Sequence, residues 1–285
     1  MLGSTPGHPH APTPRPAAPV PLDAVSVDEL ADAATAALTA KVVLTPKPGL
    51  PDCRSVSARQ SSFHSFVDSG ERLHDAFREA AAAASDTRRL AAACRAAQAE
   101  LPHTGAWAGL DAAARLLCLL AAACGYGAAD AADACRIALD LGRATDERNP
   151  HDGSGPAWPA KTDEEALALV QSALPMLREA RGRGEPEEAA QLDVLLHLIA
   201  SLDDSRVLHE HGPLALRLIQ QDAAATLDAG GAGSAEGAHR LRELDVLARR
   251  YGICPAGSGA LLAGLLLLDG LSDTARSTAP TAPTG

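Results

Sequence analysis

Lys47 stands between two prolines in Thr45-Pro46-Lys47-Pro48-Gly49-Leu50-Pro51-Asp52. Ring closure fixes φ on either side of it, so the turn can present an amine with little freedom left to lose, as an anion-binding loop requires. Arg54 and Arg59 add positive charge to the same segment. The spacing alone also fits a proline-rich helix stop carrying a solvated lysine. A second polar cluster is Leu202-Asp203-Asp204-Ser205-Arg206-Val207-Leu208-His209-Glu210-His211-Gly212. Its carboxylates followed by imidazoles could hold a hard cation together with its phosphate ligand. Adjacent side chains diverge on a helix, so Asp203 and Asp204 can serve one metal only in a loop or at a helix end. A solvated helix terminus with a surface histidine pair fits that stretch equally well. The third cluster, Cys254-Pro255-Ala256-Gly257-Ser258-Gly259, is a small-residue loop opening an Ala/Leu run. A helix starting there offers backbone N–H groups to a phosphate. It is neither a P-loop nor a nucleophile elbow.

The elements that must position these clusters are helices. Apolar residues make up 46% of the 285-residue chain, yet only three Phe, two Trp and two Tyr are present. The apolar quota is filled by Ala and Leu, strong helix formers, rather than by the aromatic and β-branched residues of sheets. The class is therefore all-α, with about ten helices in a single domain. Ser26-Val27-Asp28-Glu29 is a capping-box pattern and predicts a helix to about Val43, stopped by the prolines. Helical spacing resumes near Ser62 and predicts helices over 87–100, 108–124, 128–142, 163–181, 187–202, 213–228, 236–251 and 257–270. The stretch 144–161, with Asn149-Pro150 and several Gly and Pro, reads as a surface loop within residues 23–273 of one domain. Residues 1–22 read as a disordered Pro-rich tail and 274–285 as a second one.

Composition limits the partners. Twenty-five basic against 36 acidic residues give a net charge of −11, a field that repels phosphate backbones and argues against a nucleic-acid partner. No stretch approaches the about 18 apolar residues of a membrane span, and the N-terminus has no signal-peptide pattern. A cytoplasmic setting follows. The six cysteines (Cys53, Cys94, Cys118, Cys124, Cys135 and Cys254) show no metal-ligand spacing and read as structural thiols.

Taken together and in this order, the three clusters resemble the triphosphoribosyl-dephospho-CoA synthases, all-helical enzymes that make the prosthetic-group precursor of citrate lyase and malonate decarboxylase. The family block T-P-K-P-G-L-V-D is similar to Thr45 through Asp52, with Pro51 the one change. D-T-N-x-L-H-x-G-G is similar to Asp204 through Gly212, and S-P-G-G-S-A-D-L-L to Cys254 through Leu262. Ala173-Leu174-Pro175 fits a shorter family signature. The resemblance covers residues 30 to 270 and implies transfer of a 5-triphosphoribosyl group from ATP to the 2′-hydroxyl of dephospho-CoA, with adenine leaving. It implies Mg²⁺ with ATP as substrate. It further implies Thr45, Lys47, Arg54, Arg59, Gly257 and Ser258 as nucleotide-binding positions, Asp203 and Asp204 as metal ligands, and His209 or Asp52 as the base. The family's N-T-H-K-G block falls where this chain has Ala106-Trp107-Ala108-Gly109-Leu110. A non-catalytic relative that binds a nucleotide or CoA ligand is therefore the second reading. The oligomeric state is not encoded in any of these motifs.

Overall fold

The computed structural model describes residue 22 and residues 25–53, 60–101, 109–147 and 163–278. Among these the chain forms ten helices and no strand. They are α1 (Val27–Val43), α2 (Gln60–Ala83), α3 (Thr87–Ala99), α4 (Leu110–Gly125) and α5 (Ala131–Glu147). The second half supplies α6 (Asp163–Gly182), α7 (Glu187–Ser201), α8 (Ser205–Asp228), α9 (Ala235–Tyr251) and α10 (Ala256–Thr278). The all-α expectation is met. No helix among the described residues is long and apolar enough to cross a membrane.

Two helices are apolar around their whole circumference and form the centre, as the packing rule for such sequences demands. Leu116 through Cys124 of α4 are all buried, and so are Ala260 through Asp269 of α10. α4 packs on α10 and also touches α1, α2, α3 and α5. The close approach of α4 and α10 depends on Gly264: a Cβ there would meet Leu116 Cδ2 at 2.9 Å and Leu120 Cδ1 at 3.0 Å. The charged residue in that stretch of α10 is Asp269, its side chain 3% exposed, which is pinned to α6 by ion pairs with Arg178 (3.1 Å) and Arg181. Such a carboxylate is tolerated in a core only because both cations reach it.

Sequence signals locate most helix starts. Glu29 N bonds back to Ser26 Oγ (3.3 Å) and Ser26 N donates to Glu29 Oε2 (2.8 Å), closing the expected capping box on α1. Three boundaries differ by five residues or more from the sequence reading. α8 begins at Ser205 rather than 213, because Asp204 caps it and the Gly212-Pro213 step only breaks it locally; Gly212 sits at φ 78°. α10 runs on through Thr278, past the expected end at 270. α5 reaches Glu147, so 144–147 are helical and not loop, while the rest of the expected 144–161 loop lies outside the described residues. Leu22, assigned to the tail, is 1% exposed, and its amide donates to the Ala129 carbonyl at 3.3 Å. The remainder of the expected N-terminal tail up to 21, and residues 279–285, lie outside the described residues.

Candidate active site

The α1 helix ends with four carbonyls that have no partner within it. Lys47 supplies one. After the chain reverses through Pro46, its amine folds back, fully buried, to donate to the carbonyls of Lys41 and Val42, the latter at 3.3 Å. Burial pushes the Lys47 amine well below the usual lysine range, and the nearby Lys41 charge adds to this. The amine expected to face an anion is thus turned inward, onto the helix terminus.

The loop that follows is clamped from α9. Gly49 donates to Asp245 Oδ1 (3.3 Å), and Arg249 Nε binds the same oxygen at 2.9 Å. The other side of the Arg249 fork donates to the Leu50 carbonyl (3.1 Å) and to Asp52 Oδ2 (2.9 Å), 197 residues away in sequence. Thr45 Oγ1 donates to that carboxylate oxygen as well, at 3.1 Å. Asp52 is fully buried. Planar, always charged and five-donor, Arg249 can hold two carboxylates and a carbonyl in one geometry, which a lysine could not. The turn sits hard against the start of the third cluster, since Gly49, at φ 66°, lies where a Cβ would overlap the Ile253 carbonyl oxygen.

Asp204 ties the second cluster to the third. Its Oδ1 accepts from the amides of Arg206 (3.2 Å) and Val207 (3.3 Å), capping α8. Its Oδ2 accepts from Gly257 (2.9 Å) and Ser258 (3.2 Å), capping α10. One carboxylate therefore N-caps two helices, and both termini favour its negative charge. Burial pushes the Asp204 carboxyl up, against those four backbone N–H groups that pull it down. Two oxygens offer about four lone-pair positions, and all four are used here. Asp204 is thus not presented as a metal ligand. Its neighbour Asp203 points elsewhere: it is exposed and accepts from Gln220 Nε2 at 3.2 Å. The pair expected to share a cation diverges, because Asp204 turns inward to cap two helices while Asp203 stays at the surface. Among the described residues no group of three His, Cys, Asp or Glu could hold a metal ion.

His209 is exposed on the second turn of α8, and His211 Nε2 lies 3.1 Å from the Gly252 carbonyl. Gly257 and Ser258 lie at the start of α10, their amides taken by Asp204; Ser258 is fully buried and its Oγ has no partner among the described residues. Arg54 and Arg59 lie outside the described residues. Among the thiols, burial pushes Cys254 up to about 11, and Cys124 and Cys135 up to about 12, so these three stay protonated and unreactive at neutral pH.

Sequence reasoning missed Asp245, Arg249 and Lys41. The first two form an i, i+4 pair on α9, a signal that was available but common on any helix. Lys41 is fully buried in the last turn of α1. It extends the apolar stripe Leu30, Ala34, Leu38, so a lone charge in register with buried positions was the sign.

The sequence profile of CitG, the ATP:dephospho-CoA triphosphoribosyl transferases, matches residues 27–149 and 165–279. The chain is 34% identical over 280 residues to the probable 2-(5''-triphosphoribosyl)-3'-dephosphocoenzyme-A synthase of Stutzerimonas stutzeri, covering 88% of this chain and 94% of that one. It is 33% identical over 281 residues to the protein of the same name in Pseudomonas putida, covering 90% and 98%. The Pseudomonas aeruginosa relative is 35% identical over 271 residues, covering 85% and 90%. No solved structure matches. The chain belongs to the ATP:dephospho-CoA triphosphoribosyl transferase family.

Proposed function

From that membership, we propose that the chain transfers the 5-triphosphoribosyl group of ATP to the 2′-hydroxyl of dephospho-CoA and releases adenine. The family description names both substrates. The ribose C1′–N bond to adenine breaks and a C1′–O bond to the acceptor forms. The bonding pair leaves with adenine, which takes up a proton, and the hydroxyl gives its proton to a base. Positive charge grows on the ribose at the transition state, so the chain has to orient the hydroxyl and hold the triphosphate away from water.

One observation carries this reading: the three motif clusters, far apart in sequence, are joined around the start of α10. Arg249 and Ile253 hold the first cluster there, and Asp204 holds the second. We assign the nucleotide to the neighbourhood of Thr45, Lys47 and the Gly257-Ser258 turn, with Arg54 and Arg59, which lie outside the described residues, as further cations of the same segment. His209, exposed and without a partner among the described residues, is the better placed base; Asp52 is already engaged by Arg249 and Thr45. Magnesium would supply charge neutralisation on the phosphates. With Asp204 saturated and Asp203 turned away, the described residues do not fit a protein-built magnesium site, and no step here runs through one. The reaction is placed in the cytoplasm, where ATP is available.

The second reading, binding without transfer, is favoured by the inward turn of Lys47. Chromatographic detection of adenine from ATP, with and without dephospho-CoA, separates the two: acceptor-dependent release supports transfer, and nucleotide binding without release supports the alternative.

A further inference from the structure

The junction between the end of α1 and the start of α10 holds two orphaned polar groups. Lys41 Nζ and Ser258 Oγ are both fully buried, and neither has a hydrogen-bond partner among the described residues. The end of α1 comes close to the start of α10 here: a Cβ built on Gly259, the residue after Ser258, would meet Lys41 Cε at 3.2 Å. A second buried lysine, Lys47, lies within range of Lys41, and its contacts are carbonyl oxygens. The acids close by are committed elsewhere, Asp52 to Arg249 and Asp204 to four amides. Burial brings the Lys41 amine down to about 8, with the Asp111 charge pulling the other way. At neutral pH it is still mostly an ammonium, because the ambient pH lies below that value.

An unpaired buried ammonium is among the least favourable groups a core can hold, and a buried hydroxyl without a partner adds to it. Both are hydrogen-bond donors, and what they lack is an acceptor with negative charge. We propose that Lys41 and Ser258 form a phosphate-binding subsite that receives one phosphate of the nucleotide's triphosphate chain. The choice of phosphate over other anions rests on the transferase reading above. The phosphate oxygens would accept from Nζ and from Oγ and would neutralise the Lys41 charge. Both donors are closed to solvent, so the phosphate reaches them through local opening of the α1–α10 junction, which the unpaired ammonium makes less costly. The amides at the start of α10 do not contribute, being already bound to Asp204.

Calorimetric titration of the full chain with sodium tripolyphosphate tests this without requiring turnover. Wild type should bind at pH 7. Lys41→Met, which keeps the side-chain volume, should weaken binding about tenfold or more, as expected for a charge-assisted hydrogen bond. Ser258→Ala should weaken it about threefold, the effect of a neutral one. Thermal melting of Lys41→Met at or above the wild-type temperature shows that the loss is not unfolding, and Ser258→Ala gives an independent reading should that variant fail to fold. Wild type that does not bind tripolyphosphate, or Lys41→Met that binds as tightly as wild type, overturns the subsite; acceptor-dependent adenine release in the same preparation would leave the transferase reading standing. Tripolyphosphate bound through Lys41 with no adenine released supports the subsite and removes the transferase reading instead.

Discussion

The Asp204 carboxylate reaches across to the Ser258 amide (3.2 Å) while its other oxygen holds the Val207 amide (3.3 Å), so the start of α10 is fixed by the same side chain that starts α8. This is the joint through which two of the three motif clusters are held in one geometry.

Removing that carboxylate should therefore unfold more than it disables. A single N-cap is worth about 0.5–2 kcal/mol, and here two are lost with buried amides left unpaired. Asp204→Ala should lower unfolding stability by roughly 2–4 kcal/mol in urea titrations. Asp204→Asn should recover less than half, because its NH₂ would face two amide donors. A fully stable alanine variant would contradict the double cap.

Gly49 makes the close approach that seats the first cluster. Any side chain there meets the Ile253 carbonyl oxygen, and φ 66° is itself strained for L-residues by about 1–2 kcal/mol. Gly49→Ala should melt lower than wild type and lose catalysis out of proportion to the stability lost. A variant with unchanged melting and turnover would mean that the turn and Ile253 are not in contact.

Much of this was legible in the sequence, and the boundary of legibility is physical. The capping box at Ser26–Glu29 and the prolines after Val43 are local signals, and α1 begins and ends where they place it. The all-helical class followed from Ala and Leu. The motif residues were findable one by one, but their occupations were not. Asp204 reads as a metal ligand until the amides of Gly257 and Ser258, at a sequence separation of 53 and 54, are seen on its second oxygen. Lys47 reads as a presented cation until its amine is seen on the α1 carbonyls. Both outcomes depend on long-range packing that spacing does not encode.

Arg249 is the clamp on that loop. Arg249→Met leaves the buried Asp52 and Asp245 without their shared cation and should destabilise the chain by roughly 2–4 kcal/mol. The guanidinium is one-third exposed, which places the expectation below that of a fully buried pair. Arg249→Lys keeps the charge but cannot span both carboxylates and the Leu50 carbonyl, so it should fall between the two. A lysine variant as active and stable as wild type would show that charge alone, without the fork, is what the loop needs.

Lys41 gives a pH signature. Its amine is near 8 in the folded chain against 10.5 ordinarily. Below about 8 both states carry the proton, and the penalty of burying it is fully present. Between about 8 and 10.5 the unfolded chain holds more protons, so wild-type stability rises with pH; above that the penalty is gone. Lys41→Met should thus be the more stable protein at pH 7, by about 3 kcal/mol at most, and the gap should narrow by pH 9.5. Melting curves of both proteins at the two pH values check this, and a gap independent of pH would show that the amine is not held as a buried ammonium.

This chain, with its three clusters joined at the start of α10, is proposed to transfer a triphosphoribosyl group from ATP to dephospho-CoA. The most direct measurement is chromatographic quantitation of adenine from ATP in the presence and absence of dephospho-CoA, with the acceptor product identified by mass. Adenine released in step with a dephospho-CoA adduct heavier by one triphosphoribosyl group is the predicted result. ATP left intact in the presence of dephospho-CoA and magnesium, by a folded chain that binds the nucleotide, would contradict it.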